Sequence, residues 1–243
     1  MEVKPYEIDG SKKQQVSQMF DNIAGKYDFL NHFLSLNMDK TWRRKMIAEL
    51  NVLQPKTVLD VATGTADVAI NTIKQLKINN LKIEGVDISA EMLNIGRKKI
   101  SHEGLSERIT LSLGDSEQLP FEGNKFDAVT VAFGVRNFEN LERGLQEMHR
   151  VLRGGGKLVV LEFSKPTMFP FRQLYNFYFK NILPMIGKLT SKDNRAYAYL
   201  YESVQAFPDG DNFLTVLNKI GFKETQCKPL TLGICSIYIG YKK

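Results

Sequence analysis

The stretch VLDVATGTADVA, residues 58–69, joins a short β-branched run to a turn with one glycine and then to the start of a helix. Such a strand–turn–helix unit directs backbone N–H groups at a ligand. Its single glycine, Gly64, leaves the dinucleotide fingerprint GxGxxG absent. Asp60 at the strand end and Asp67 in the first helical turn favour a cationic ligand over a phosphate, although Asp67 also suits the positive N-terminus of a helix.

Outward from this stretch, β-branched runs alternate with helix-length segments, which is typical of a parallel sheet covered by helices on both faces. We predict strands over residues 57–61, 81–86, 109–113, 126–132, 156–163, 222–230 and 234–241. We predict helices over residues 66–76, 89–100, 141–152 and 212–220, with Ser89 as an N-cap and the glycines at 154–156 ending the third helix. The last two strands pair as a hairpin around residues 231–233. The predicted fold class is α/β, with a Rossmann-like, mostly parallel, seven-stranded sheet and a C-terminal antiparallel hairpin.

Residues 11–50 are predicted to be helical, because apolar side chains recur there at helical spacing in two stripes. The stripes are Val16, Met19, Phe20 and Ile23, and then Trp42, Met46, Ile47 and Leu50. Basic side chains flank the second stripe: Lys40, Arg43, Arg44 and Lys45.

Two further acidic positions follow predicted strands. Asp87 lies 23 residues after Gly64, close to the spacing of about 20 residues at which a carboxylate reaches ribose hydroxyls. Asp115 and Ser116 follow the third strand, where a carboxylate can accept from an adenine amino group and a backbone N–H can donate to the ring. Since ligands bind at the carboxyl ends of strands in open α/β sheets, these residues predict one nucleoside site. S-adenosylmethionine fits it, because its ammonium and sulfonium groups favour nearby acids and it carries no phosphate.

The chain has 243 residues, of which 43% are hydrophobic and 25% are charged, which is enough for one packed domain. We expect a helical cap over residues 1–50, a cofactor-binding core over 56–163, an insert over 165–206, and a helix and hairpin over 207–243. The net charge of +6 is compatible with nucleic acid, an anionic membrane surface or mere solubility.

The start, MEVKPYEIDG, lacks the pattern of a secretory signal, and no apolar run approaches the roughly 18 residues of a membrane span. We therefore expect a cytoplasmic protein, at most attached to the inner face of the membrane. Cys227 and Cys235 lack metal-ligand spacing, and the three histidines are scattered, so no metal site is predicted.

The insert, residues 165–206, is aromatic and basic. Its aromatic and cationic residues are Phe169, Phe171, Tyr175, Phe177, Tyr178, Phe179, Lys165, Arg172, Lys180, Lys188, Lys192 and Arg195. Apolar rings can enter a bilayer interface while Lys and Arg face anionic lipid. A buried cover over the site explains the same composition, and both interpretations stay open here.

Several motifs, taken together, closely resemble the UbiE/MenG family of ubiquinone and menaquinone C-methyltransferases. They are YDFLNHFLSLNMDKTWR (27–43), ATGTAD (62–67), FGVRNF (133–138), HRVLRGGGKLVVLEFSKP (149–166) and YLYESVQAFP (199–208). The resemblance spans nearly the whole chain. Gly154 departs from the proline usual in the family, and Asn37-Met38 stand where relatives often carry glycine and histidine.

The resemblance implies a class I methyltransferase fold and methyl transfer from S-adenosylmethionine to a ring carbon of a polyprenylated quinol. It carries cofactor contacts over to Thr65, Asp87, Asp115 and Ser116, beside Gly64 and Asp60 from the first strand and turn. We hypothesise that Arg136 stabilises the quinol phenolate and that Asn137 orients it or a water, although both have enough donors simply to hold loops together. Tyr27, Asp28 and Asn31 are candidate lid residues, and His149 is expected to be structural.

We favour demethylmenaquinol as the substrate over the 2-methoxy-6-polyprenyl-1,4-benzoquinol of ubiquinone synthesis. Another small-molecule or lipid methyltransferase would share the cofactor site, but that hypothesis would not account for the motifs FGVRN and LEFSKP. A nucleic-acid-binding protein would need a binding motif or a concentrated basic run, and neither is present, so nucleic acid is not an expected partner. A nicotinamide oxidoreductase is disfavoured by the missing glycine fingerprint.

Overall fold

The computed structural model describes residues 3–6, 8–177 and 194–243. In these residues the strands are β1 Thr57–Val61, β2 Lys82–Asp87, β3 Ile109–Leu113, β4 Phe126–Ala132, β5 Leu152–Phe163, β6 Lys223–Leu230 and β7 Cys235–Tyr241. They form one sheet in the order β3-β2-β1-β4-β5-β7-β6. Neighbours from β3 to β5 pair in parallel, and β7 runs antiparallel to both β5 and β6. The predicted α/β sheet with a late hairpin is therefore confirmed.

The helices are α1 Lys12–Ile23, α2 Tyr27–Leu34, α3 Met38–Ala48, α4 Asp67–Leu76, α5 Ala90–His102, α6 Leu141–Val151, α7 Phe171–Phe177, α8 Asn194–Ala206 and α9 Asp211–Ile220. The side chain of Ser89 accepts from the Met92 N–H, as predicted for the N-cap of α5. Within the insert, Tyr178, Phe179, Lys180, Lys188 and Lys192 lie outside the described residues.

The prediction that glycines 154–156 end α6 is wrong. The helix stops at Val151, and Leu152 is already extended and pairs with Phe126 of β4. The glycines lie inside β5, where the register slips and Lys157 is the next residue paired with β4. Leu152 is completely buried in the sheet, so packing of its side chain turns the chain into β5 directly. The glycines then form an irregularity of the strand rather than a helix cap.

Each face of the sheet carries its own hydrophobic core. On one face the α3 side chains Trp42, Met46 and Ile47 pack with α4 and the strands. On the other face α6 and α9 pack over β4 and β5, with Phe213 completely buried. Because β1 is covered on both faces, all of its residues after Thr57 are buried, Asp60 included.

The N-terminal helices cross the carboxyl edge of the parallel strands. The hydroxyl of Ser17 donates to the Ile88 carbonyl, and Asp21 accepts from the Ser89 hydroxyl at 2.6 Å, so α1 is fixed to the start of α5. A cavity lies beneath α1 as a result. In the described part of the chain, no helix is both long and apolar enough to cross a membrane.

Candidate active site

The first cavity lies at the carboxyl ends of β1, β2 and β4 and has an empty volume of about 670 Å³. Four of the predicted cofactor residues line it: Gly64, Asp87, Asp115 and Ser116. The apolar residues of its wall include Val16, Phe20, Val86, Ile88, Met92 and Phe133.

Asp87 connects two turns at the floor of this cavity. Its Oδ2 accepts from the backbone N–H of Gly64 at 2.8 Å, and its Oδ1 accepts from the backbone N–H of Ser89 at 2.9 Å. Burial raises the pKa of Asp87, and the backbone donors, Ser89 first, oppose that rise. The carboxylate thus has a fixed orientation and still faces the cavity, where it can accept from hydroxyl groups of a ligand.

Asp60 and Thr65 support the turn from outside the cavity lining. Asp60 accepts from the hydroxyls of Thr63 at 2.7 Å and Thr130 at 2.6 Å, and burial raises its pKa to about 6. Thr65 donates to Asp28 at 2.7 Å and accepts from Lys99. Both side chains are therefore committed to partners within the protein.

Asp115 is covered from α1 by Lys13, a residue that the sequence did not single out. The Lys13 Nζ lies 2.5 Å from Asp115 and 3.2 Å from Glu117. Burial opposes the charge of Lys13, but the bonds to the two carboxylates outweigh it and raise the pKa of Lys13. The connection spans about a hundred residues of sequence, so no local pattern could have revealed it.

The residues of the first cavity fit S-adenosylmethionine. Gly64 has φ +56°, and a Cβ built on it would meet no atom within 4 Å, so the turn is both left-handed and open. The carboxylates of Asp87, at the end of β2, and of Asp115, after β3, supply hydrogen-bond acceptors to the cavity. The apolar wall suits the flat face of a purine.

A second cavity adjoins the first and is much larger, with an empty volume of about 1,680 Å³. Phe20, Tyr27, Phe133 and Asn137 line both cavities. Most of the second lining is apolar: Met19, Ile23, Leu30, Leu34, Leu36, Met38, Trp42, Phe163, Phe171, Leu174, Ala196, Leu200, Leu232 and Ile234. A long apolar ligand can therefore reach the wall of the first cavity.

Arg136 and Asn137 lie where the two cavities meet, in a 3₁₀ turn after β4. The Arg136 Nη1 pairs with Glu162 at 2.8 Å and donates to the Phe133 carbonyl. Burial raises the pKa of Glu162, although Arg136 counteracts it. Among the described residues, the buried Arg136 Nε and Asn137 Oδ1 have no hydrogen-bond partner. A ligand at this junction could satisfy both atoms.

Residues 8–242 match the model of the ubiE/COQ5 methyltransferase family. The chain belongs to this family. A demethylmenaquinone methyltransferase of Bacteroides fragilis is 50% identical over 99% of this chain and 97% of that protein. The ubiquinone/menaquinone biosynthesis C-methyltransferase UbiE of Geotalea daltonii is 43% identical over 95% of this chain and 97% of that protein.

Among solved structures, a SAM-dependent methyltransferase from Thermotoga maritima, described as a possible histamine N-methyltransferase, superposes with a TM-score of 0.62. It is 19% identical and covers 93% of this chain and 99% of that one, so the likeness concerns the fold. Family and fold together confirm three predictions: the resemblance, the class I methyltransferase fold, and S-adenosylmethionine as the cofactor of this enzyme.

A polar cluster lies at the second cavity, and the sequence did not predict it. Asp39 and Arg43 of α3 both line the cavity, and they pair at 3.1 Å. The His32 Nδ1 lies 2.8 Å from Asp39. Arg43 also forms an ion pair with Asp67 at 3.0 Å. Because Asp67 is held by this pair, it does not line the first cavity, although the sequence predicted it near the cofactor. Burial works against the charge of Asp67, but Arg43 and Lys99 hold its pKa below the usual range.

The predicted lid residues divide into two groups. Tyr27 and Asn31 line the second cavity and share a hydrogen bond, and burial raises the pKa of Tyr27. Asp28 instead pairs with Lys99 at 2.6 Å. His149 packs edge-on against Phe222 at 4.9 Å between ring centroids, on the face of the sheet covered by α6. In the described ranges, no group of three or more His, Cys, Asp or Glu is arranged to hold a metal ion.

Proposed function

We propose that the enzyme C-methylates demethylmenaquinol, a polyprenylated naphthoquinol, in menaquinone biosynthesis. The observation that carries this proposal is the contact between the cavities: a large apolar cavity shares a wall with the cofactor cavity. The demethylmenaquinone methyltransferase of Bacteroides fragilis supports it by its identity over nearly the full length. Because the sheet continues from β1 to the hairpin, we also propose that the cap, core, insert and hairpin form one domain.

Toward the cofactor, we propose that Asp87 accepts from the ribose hydroxyls and that Asp115 and Ser116 contact the adenine. Gly64 presents open backbone to the remainder of the ligand. Asp60 and Thr65 act indirectly: they do not line the cavity, and their hydrogen bonds hold the turn in place. When bound, S-adenosylmethionine supplies an activated methyl group on a sulfonium.

Toward the quinol, the chain has to orient the ring and stabilise the oxygen that loses its proton. We propose that Arg136 donates from its unpartnered Nε to the phenolate oxygen and that Asn137 orients the same oxygen or a water. Tyr27 and Asn31 complete the wall beside the ring. Since Glu162 holds the guanidinium of Arg136, the charge is fixed before the ring arrives, which is the arrangement that favours electrostatic stabilisation.

The decisive experiment offers methyl-labelled S-adenosylmethionine and a reductant to the purified enzyme, with short-tailed demethylmenaquinol or demethylated benzoquinol in parallel. Label on the naphthoquinol alone supports the proposal. Label on both assigns the dual activity named for the Geotalea daltonii relative. No label on either, with cofactor binding confirmed, rejects the quinol substrate.

We further propose that the enzyme docks on the membrane surface with an apolar rim around the second cavity. The rim consists of exposed side chains of α2 and the turn after it, of α7 and the segment before it, and of the hairpin tip: Phe29, Phe33, Leu36, Met168, Phe169, Leu174, Phe177 and Leu232. Leu36, Leu174 and Leu232 also line the cavity, so its entrance is apolar. The segments 29–36 and 168–177 contain no Asp or Glu, and Arg172 is exposed between the apolar side chains, which suits an anionic lipid surface.

A further inference from the structure

The second cavity has a polar end formed by α2 and α3, apart from the Arg136–Asn137 turn. Asp39 lines it and is only 4% exposed at its side chain. Its Oδ1 accepts from the Ser35 hydroxyl at 2.7 Å, and its Oδ2 faces His32 and Arg43. A carboxylate so deeply buried needs these partners, because an unpaired buried charge is very costly.

Arg43 gives this end a donor without a partner. Its side chain is 8% exposed, its Nη1 pairs with Asp39 and Asp67, and its buried Nε has no hydrogen-bond partner in the part of the chain that is described. A hydroxyl oxygen of a quinol ring in the cavity could accept a hydrogen bond from the Arg43 Nε–H while the hydroxyl gives its proton to Asp39. Arg43 and Asp39 together thus match a hydroxyl that becomes a phenolate.

His32 connects this buried end to solvent. Its Nδ1 faces Asp39, while 26% of its side chain remains exposed. Histidine is the side chain best suited to pass protons between an interior carboxylate and water, since its two ring nitrogens can take up and release a proton in turn. The pair therefore joins a cavity wall to bulk water through one hydrogen bond.

C-methylation of a quinol has to release one proton for each turnover. The new C–C bond takes the methyl from the sulfonium, the S–CH₃ bond breaks, and the ring recovers its aromaticity as the hydrogen of the methylated carbon moves, as a proton, to the ring oxygen that had lost its own. One positive charge disappears from the cofactor, so one proton must leave a cavity whose lining is mostly apolar. This requirement rests on the function proposed above.

We propose that Asp39 is the proton acceptor for the quinol and that His32 passes this proton from Asp39 to solvent. Arg43 stabilises the deprotonated oxygen through its Nε. The two ring oxygens of a 1,4-quinol would then be recognised at two separate polar places, one at Arg136 and Asn137 and the other at Asp39 and Arg43.

The charged groups around His32 are consistent with this route. Asp39 and Arg43 face it from α3, Asp67 acts on it from α4, and Lys99 reaches the same cluster from α5 to join Asp67 and Asp28. The three carboxylates exceed the two cations by one. A proton in transit on His32 therefore balances the charge of the cluster instead of adding to an excess.

The test compares His32→Ala, His32→Asn and Asp39→Asn with His102→Ala, a control that removes an exposed histidine at the end of α5. Trp42 lines the second cavity and is the one tryptophan of the chain, so quenching of its fluorescence by a short-tailed naphthoquinone reports ligand binding separately from turnover. The Asn replacement at His32 keeps a donor toward Asp39 but cannot transfer a proton. His32→Asn therefore still tests the proposal if His32→Ala fails to fold.

We expect kcat to fall about a hundredfold in Asp39→Asn and about tenfold in both His32 variants, and naphthoquinone binding to be unchanged in the His32 variants. Added imidazole should restore His32→Ala toward the wild-type kcat and leave Asp39→Asn unaffected. Full turnover in His32→Asn, or slow turnover in His32→Ala that imidazole does not improve, overturns the proposal. A wild-type enzyme that binds both ligands and methylates no quinol overturns the proposed function instead, and the two failures are therefore distinct.

Discussion

The backbone N–H of Gly64 donates to the carboxylate of Asp87 at 2.8 Å, which joins the turn after β1 to the end of β2. The turn and the end of the neighbouring parallel strand are thereby fixed relative to one another before any ligand binds. The same carboxylate lines the first cavity, so one side chain both holds the turn and presents a hydrogen-bond acceptor to the cavity.

Replacing Asp87 by Ala should weaken S-adenosylmethionine binding about tenfold to a hundredfold, because charged hydrogen bonds to the ligand are lost. Isothermal titration calorimetry measures the effect. Asp127→Ala is the matched control: Asp127 also accepts from two backbone N–H groups, those of Lys56 and Thr57, but at the opposite edge of the sheet. Equal losses of affinity in both variants would show that Asp87 acts through stability alone.

Gly64→Ala should destabilise the fold by about 1–2 kcal/mol and also weaken cofactor binding, since φ is +56° there and the turn borders the cavity. Gly104 has φ +65° in equally open space after α5, so Gly104→Ala tests the backbone strain by itself. Urea denaturation should show similar losses for both variants, and calorimetry should show weaker cofactor binding for Gly64→Ala only. Unchanged binding in Gly64→Ala would place the turn outside the cofactor site.

Asp60 should make stability depend on pH. Burial raises its pKa from the ordinary aspartate value of 3.8 to about 6, so the folded chain binds more protons than the unfolded chain between these values. The stability from this group is therefore present below pH 4 and is lost as the pH rises through 6, by at most about 3 kcal/mol.

Asp60→Asn removes that titration while keeping the size of the side chain. The free energy of unfolding of the wild type, measured in urea at pH 4.5 and pH 7, should fall more with rising pH than that of the variant. Other groups contribute to both proteins and cancel in the comparison. Parallel pH profiles would mean that Asp60 is not perturbed in the folded state.

Arg136→Ala should lower turnover about a hundredfold, because a donor to the phenolate is lost, and should leave cofactor affinity intact. It also leaves Glu162 buried without its cation, which should cost about 3–5 kcal/mol of stability. Combining Arg136→Met with Glu162→Gln removes the unpaired charge. That double variant should regain stability in thermal unfolding and remain slow, whereas recovered turnover would assign Arg136 a purely structural role.

The membrane proposal is tested on the apolar rim. Phe33→Ser combined with Leu36→Ser should weaken binding to phosphatidylcholine–phosphatidylglycerol vesicles about tenfold or more, since two exposed apolar side chains no longer enter the interface. Val52→Ser, in the turn before β1 at the other edge of the sheet, removes a side chain that is 96% exposed and should change nothing. Equal vesicle binding by the wild type and the double variant contradicts the proposal.

Several elements were predictable because their causes are local. Strands β1, β3 and β4 have the predicted bounds, since each is short and rich in the β-branched and apolar residues that favour strands. Asp87 and Asp115 were found because carboxyl ends of parallel strands meet at one edge. The end of α6 was misplaced because the burial of Leu152, and not the glycines that follow, decides where the helix stops.

By itself, the sequence determined the α/β fold, the class of cofactor and the family, because these depend on periodicity and on motifs that are contiguous in the chain. Only the tertiary structure decided how Lys13 covers Asp115, and how Asp39 comes to lie at a cavity bounded by β5 and α8 with His32 of the neighbouring helix against it. It also decided that Asp60 and Asp67, both acids beside the glycine turn, bind partners within the protein. These contacts arise from packing between distant segments, which no spacing along the chain encodes.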